Sequence, residues 1–309
     1  MRNGLMRNGQ MPNRLISDNV KFPDIRRLEP DDLRNCTALS VDRGWWPERD
    51  KWALLLAASE GYTVDAPDGQ GLAGTVVLTR WGTDRAGLGM MLVASRYGGC
   101  GLGRTLMEHA LDVAGEGTAV SLYATDSGRP LYEKLGFQPI RRSVAFRGRF
   151  RASSQADSTR ESQSGEARNV RVATEADLPA ILDLDRAAYG ADRERILTRL
   201  PAFAERIVVL ENTDGIIGYA AGWRTEAFTF IGPLLAPDGA GARRLVAEVA
   251  AHSPVAVRLD LDPDRPELPA WARDCGLLST ERTVVMTHGD LTPRGVPGHL
   301  FTPISVAMA

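Results

Sequence analysis

Val93-Ala-Ser-Arg-Tyr-Gly-Gly-Cys-Gly-Leu-Gly103 runs straight into Arg104-Thr-Leu-Met-Glu-His-Ala-Leu111. An apolar strand over 86–93 leads into a loop with glycine at 98, 99, 101 and 103. That loop opens a helix over 103–114, with Leu106, Ala110 and Leu111 on one face. Glycines let backbone N–H groups approach an anion closely, and a helix N-terminus favours negative charge. The loop therefore reads as a phosphate or pyrophosphate cradle. It lacks the Gly-Lys-Ser/Thr ending of a Walker loop, and it sits too late in its segment for a dinucleotide-binding first turn.

Working outward, a strand is expected near 25–28, helices over 31–40 and 48–59, and strands over 61–65 and 72–80 joined by a Pro67-Asp68-Gly69 turn. After the loop helix come a strand over 119–123, a short helix over 129–135 and closing strands within 137–150. The order β-α-α-β-β-β-α-β-α-β-β is an α/β (α+β) reading, a mixed central sheet flanked by helices. Residues 151–168 contain no Val, Ile, Leu, Met or aromatic residue and read as a flexible linker. The following segment, 169–309, opens NVRVATEADLPAILDLD, much as the first opens DIRRLEPDDLRNCTALS. This weak repeat has a period near 145 residues and suggests duplication of a whole domain. Residues 1–22 read as a disordered leader, leaving a first domain over 23–150.

The 309 residues are 43% hydrophobic and 25% charged, with formal net charge −2. Such a chain buries real cores, and it has no global basic field for nucleic acid. No apolar run approaches the ~20 residues of a membrane span. The N-terminus has no apolar stretch of the secretory kind. Cys36, Cys100 and Cys275 lie far apart without metal-ligand spacing, as befits a cytoplasmic protein with no metal.

A second motif follows the loop by about 30 residues: Leu122-Tyr-Ala-Thr-Asp-Ser-Gly-Arg-Pro-Leu-Tyr-Glu-Lys-Leu-Gly-Phe137. Together the two stretches resemble the GCN5-related N-acetyltransferase (GNAT) superfamily. There a Val-x-x-x-x-Arg-Gly-x-Gly-x-Gly loop binds acetyl-CoA and a Leu-Tyr-x-x-Leu-Gly-Phe turn follows. The resemblance covers about residues 24–150. It extends to bacterial members with a Gly-Trp-Pro…Asp-Trp stretch, here Gly44-Trp45-Trp46-Pro47 with Asp50 and Trp52. Those relatives often carry a second, degenerate GNAT-like domain.

The resemblance implies that the backbone of Gly98, Gly99, Cys100, Gly101, Leu102, Gly103 and Arg104 binds the pyrophosphate. Met91, Leu92 and Val93 pair with the pantetheine arm, and Tyr132 protonates the departing thiolate. Thr125 and Asp126 either cap the short helix or contact the acceptor, with Asp126 taking a hydrogen bond from its amine. Trp45, Trp46 and Asp42 are acceptor-side candidates, with core packing the rival role for the tryptophans. Gly98 stands where the superfamily usually has Arg or Gln, Ser95 replaces a frequent Pro, and the strand over 86–93 holds no acidic residue to serve as base. In the second segment Ile231-Gly-Pro-Leu-Leu-Ala-Pro-Asp-Gly-Ala-Gly-Ala242 replaces the loop, and Ala272 falls at the tyrosine position. That segment is expected to lack acetyl transfer and to complete the acceptor cleft or mimic a partner subunit. The expected activity is acetyl transfer from acetyl-CoA to a primary amine of a small molecule, in a ternary complex, by a monomer or homodimer with neither nucleic acid nor membrane as partner. The alternatives are a non-catalytic acyl-CoA-binding regulator and a protein N-acetyltransferase.

Overall fold

A computed structural model describes residues 20–152, 168–290 and 294–308. The leader expected at 1–22 and the linker expected at 151–168 fall almost wholly outside them. The first half runs β1 (Arg26–Arg27), α1 (Leu33–Asp42), α2 (Arg49–Ala58), β2 (Glu60–Asp65), β3 (Leu72–Trp81), β4 (Arg85–Val93), α3 (Leu102–Ala114), β5 (Ala119–Ala124), α4 (Arg129–Lys134) and β6 (Gln138–Gly148). The second repeats the plan: β7 (Asn169–Val172), α5 (Leu178–Tyr189), α6 (Glu194–Leu197), α7 (Leu200–Phe203), β8 (Arg206–Asn212), β9 (Gly215–Arg224), β10 (Thr229–Leu235), α8 (Gly239–Ala251), β11 (Val257–Leu261), α9 (Glu267–Asp274) and β12 (Leu278–His288). A last strand, β13 (Leu300–Thr302), closes the chain. The closing region of the first half is one strand where more than one was expected.

The duplication is visible atom by atom. Arg26 ties Asp32, at the start of α1, to Asp65 at the end of β2. Arg171 ties Asp177 to Glu211 in the same way. In both halves the aspartate also accepts the backbone N–H three residues before it, from Glu29 and from Thr174. The two arginines stand 145 residues apart, the period read from the sequence.

All thirteen strands form a single sheet, in the order β1-β2-β3-β4-β5-β12-β6-β11-β10-β9-β8-β7, with β13 on β10. The last strand of each half has crossed over. β12 lies against β5, and β6 lies against β11. The two exchanged strands pair with each other along their length, from Leu278↔Arg147 to Thr287↔Gln138. Neither half therefore completes its own sheet, and the seam joins backbone pairing to side-chain packing in a shared core.

Helices cover both faces. Gly74 on β3 faces Leu102 and Leu106 of α3. Thr79 faces the other way, bonded to Ser59 beyond α2. Because successive strand residues alternate, α3 and α2 lie on opposite faces of the first half. Trp52 of α2 is wholly buried there, its indole N–H donating to Ser40 of α1 at 2.9 Å.

Candidate active site

β4 and β5 are parallel and pair from Arg85↔Ala119 only as far as Leu88↔Leu122. Beyond that point they part. The β3–β4 register slips between Thr75, which pairs with Leu92, and Val77, which pairs with Gly89, and Met90 within that slip takes φ +47°. A bulge bends its strand, and here it swings Gly89–Val93 away from β5. The stretch carrying Met91, Leu92 and Val93 is left with a free backbone edge toward the opening.

The strand ends in a short 3-10 turn, and the glycine loop follows. Gly99 and Gly101 have φ +83° and +81°, a conformation that suits glycine, and a Cβ at either would meet nothing within 4 Å. Gly101 precedes α3 without any side-chain cap, and its carbonyl takes the Arg104 N–H at 2.9 Å, so the N–H groups of Leu102 and Gly103 at the start of the first turn are left for a ligand. Gly103 packs tightly under the loop, its Cβ position 3.3 Å from Met91. Gly98 closes the 3-10 turn, its N–H on Ser95. Arg96 is drawn away to Asp68 and the Gln70 carbonyl, and Arg104 pairs with Glu108 along the helix. The cradle is thus backbone, without an arginine aimed into it, and it fits a pyrophosphate.

A cavity of about 600 Å³ passes through the opening between the strands. On the α3 side it is lined by Met107, Thr125, Asp126 and Tyr132. Tyr132 sits in α4, 9% exposed, its ring 6.0 Å from Phe137 and against Gly128. Burial pushes its hydroxyl up to about 12, so it stays protonated at neutral pH. Thr125 bonds Ser127 and the Gly128 N–H, the capping role, while also lining the cavity.

On the α2 side the walls are Trp45, Trp46, Glu48 and Lys51. Both tryptophans lie in the loop between α1 and α2, not on a helix, and both are exposed, at 40% and 48%. Free of helical geometry, they can both face the cavity. Asp42 does not line the cavity: its carboxylate accepts the Ser95 N–H at 2.6 Å and anchors the start of the glycine loop. Lys51 is buried and ion-paired with Glu48. Burial, helped by the nearby Arg258, pushes its ammonium down to about 7, while Asp260 acts in the opposite sense.

The second half supplies the far wall. Trp223, Phe230, Asp260 and Glu281 all line the same cavity. Trp223 packs between Phe203 and Phe230 at 4.9 Å from each, and its buried indole N–H has no partner. Asp260 accepts from Arg258 at 3.0 Å through one oxygen; the other is buried and unpartnered. These residues had no motif to betray them. The only signal was the pairing of the strands that carry them, which sequence spacing does not reveal.

Two sequence models of acetyltransferases match the chain. One, described as "Acetyltransferase (GNAT) family", covers residues 23–137, and the other, "Acetyltransferase (GNAT) domain", covers 181–302. The chain belongs to the GNAT superfamily. It is of the tandem type, with a GNAT domain in each half, and its activity class is acyl transfer. It is 28% identical over 222 residues to the "Uncharacterized N-acetyltransferase YitH" of Bacillus subtilis (strain 168), covering 72% of this chain and 76% of that one. In fold it is similar to a putative acetyltransferase from Pyrococcus horikoshii, at TM-score 0.75 and 17% identity over 94% of this chain and 98% of the other. It also resembles a tandem GNAT protein from the clavulanic acid biosynthesis pathway, at TM-score 0.60 and 14% identity over 86% and 98%.

The second GNAT unit keeps the frame and fills its ligand positions with its own chain. Where the first leaves a helix N-terminus open, Asp238 caps α8, accepting the Gly241 N–H at 2.7 Å, and pairs with Arg168. A carboxylate thus occupies the anion position. β10 and β11 pair at Thr229↔Val257 and Phe230↔Arg258, and further along β10 carries β13 instead, at Leu234↔Thr302 and Leu235↔Leu300. The chain's own last strand thus lies along the edge that corresponds to the free edge of β4. Ala272, at the tyrosine position, is fully buried. The tail then continues into the first unit: Ile304 and Met308 join its core, and the Ala307 carbonyl lies against Gly89, where a Cβ would come within 1.8 Å. Among the described residues, no group of three or more His, Cys, Asp or Glu is placed to hold a metal, and no helix is long and apolar enough to cross a membrane.

Proposed function

We propose that the first GNAT unit transfers an acetyl group from acetyl-CoA to a primary amine of a small molecule, by direct attack in a ternary complex. The observation that carries this is the cavity through the β4–β5 opening. It has a protonated tyrosine on the side of α3, the helix whose uncapped start follows the glycine loop, and an aromatic, charged chamber on the other. The amine nitrogen forms its bond to the thioester carbonyl carbon, and the carbon–sulfur bond breaks. Tyr132 gives its proton to the departing thiolate. Lys51, whose buried ammonium is pushed toward the neutral form, takes the proton the amine must lose and then holds it against the Glu48 carboxylate. Trp45 and Trp46 wall the entrance, and Asp126 with Glu281 faces the ammonium before it is deprotonated. The chamber is enclosed by side chains of both units, which supports a small acceptor over a protein terminus. The enzyme works in the cytoplasm as a monomer or homodimer.

The test is titration of acetyl-CoA into the full chain, followed by a screen of amines for thiol release. One site per chain, lost in Gly101→Glu, with release in the presence of an amine, is the expected result. Binding without release by any amine would make the chain an acyl-CoA-binding regulator. No binding would end the transferase reading of this unit.

A further inference from the structure

A second cavity, of about 650 Å³, lies over the exchanged strands. It is floored by residues of β5, β12, β6 and β11 and walled by the end of α5 and by the tail. It adjoins the first cavity, with Tyr123 and Asp260 lining both. Six arginines and three aspartates face it. Arg142 pairs with Asp264, Arg193 with Asp185 and Arg294 with Asp84, and Arg85 is engaged within the chain. Two guanidiniums remain. Arg141 reaches the Tyr123 hydroxyl, at 3.5 Å, and feels the pull of Asp262. Arg265 donates to the carbonyls of Leu300 and Gly298 and stacks on Phe301 at 4.1 Å.

Among the described residues neither has a carboxylate within ion-pair distance. Burial lowers the Arg265 pKa, and the Arg141 charge lowers it further, against the opposing pull of Asp262. Arg141 is exposed and Arg265 half-buried, and the one lining carboxylate that acts on both is Asp262; two guanidiniums against that single carboxylate leave positive charge over for an anion between them. A third group points the same way. Thr287 lines the cavity at 8% exposure, and its buried hydroxyl has no hydrogen-bond partner.

We propose that this cavity is a second ligand site, for a compact doubly charged oxyanion of the phosphate-monoester or dicarboxylate type, held by Arg141, Arg265 and Thr287. Planar guanidiniums suit the paired oxygens of such groups. Trp81 and Val285 offer apolar wall for a short carbon skeleton. The site goes beyond the acetyl-transfer reading and stands without it.

Inorganic phosphate titrated into the full chain, with and without Gly101→Glu to close the glycine loop, tests the site. Binding at one site per chain is expected, weakened about tenfold or more in Arg141→Gln and in Arg265→Gln, and less in Thr287→Val. Acetyl-CoA binding stays unchanged in all three, which separates this site from the loop of the first unit. Kinetics with 2-aminoethyl phosphate and propylamine then separate two sources of the anion. A KM raised in Arg141→Gln for the phosphorylated amine alone makes the site the far end of the acceptor pocket. Unchanged kinetics for both amines, with phosphate binding lost, makes it a site for a separate ligand. Phosphate that fails to bind the wild type, or binds Arg141→Gln and Arg265→Gln as well as the wild type, overturns the proposal.

Discussion

Tyr132→Phe removes one oxygen from a ring held by Phe137 and Gly128, so it leaves packing intact. Turnover should fall about a hundredfold or more, with acetyl-CoA affinity unchanged, as stopped thiol-release assays and calorimetry would show. With burial holding the hydroxyl near about 12, no alkaline loss of activity is expected from this group below about pH 11. Lys51 sets the opposite limb. Its folded pKa of about 7 lies below its ordinary value of 10.5, so activity should rise as pH rises through about 7, and Lys51→Met should abolish that rise. The same depression means that the unfolded chain binds more protons between those values. Stability should therefore increase with pH across that window in the wild type and less so in Lys51→Met, measured by urea unfolding. Trp52→Ala tests the core instead, with an expected loss of about 3–5 kcal/mol.

At the level of elements, the loop, helix and tyrosine turn were all legible, because each rests on local chemistry. Glycines at 98, 99, 101 and 103, the apolar face of α3 and the Leu131-Tyr132…Gly136-Phe137 turn are short-range patterns. What escaped was long-range. Trp45 and Trp46 fall between the helices expected over 31–40 and 48–59, and no local pattern tells that both line one cavity. Asp42 read as an acceptor contact because only the folded chain brings Ser95 to it. Lys51, Asp260 and Trp223 carry no motif, and only the meeting of α2 with strands some 170 to 210 residues away makes them neighbours. The exchange of β6 and β12 is equally silent, since both strands carry the same pattern, an exposed, mostly polar first half and a more buried second half, and nothing in it names a partner. It has a direct consequence for fragments. Residues 20–152 alone leave the β5 edge bare and β6 without either neighbour, and such edges invite aggregation. Each half made separately should be insoluble or disordered by circular dichroism, while the two halves produced together should recover a soluble complex.

At the scale of the whole molecule, one sheet serves two units of which one retains an open ligand position. The stoichiometry should be one acetyl-CoA per chain. Asp238→Ala frees the α8 terminus without creating a second site, because β13 still lies along β10; calorimetry would show the count unchanged. Gly89→Val sets a side chain against the Ala307 carbonyl. It should loosen the tail, raising cleavage near the C-terminus under limited proteolysis and raising KM for the amine more than for acetyl-CoA.

The strand lying along β10 also gives the two units unequal thermodynamics. A ligand that binds only the folded state stabilises it in proportion to its concentration. On the proposed function the first unit is subject to that coupling, and its resistance to local opening should follow the supply of acetyl-CoA. The second carries its occupant on the same chain, at an effective concentration that no metabolite controls. It is a holo domain from the moment it folds. Hydrogen exchange with and without acetyl-CoA would show it: slowed amides around the glycine loop and β4, and the same rates throughout β8 to β10. In a starved cell the half proposed to bind acetyl-CoA would become the soft half, held in register by a neighbour whose firmness does not vary.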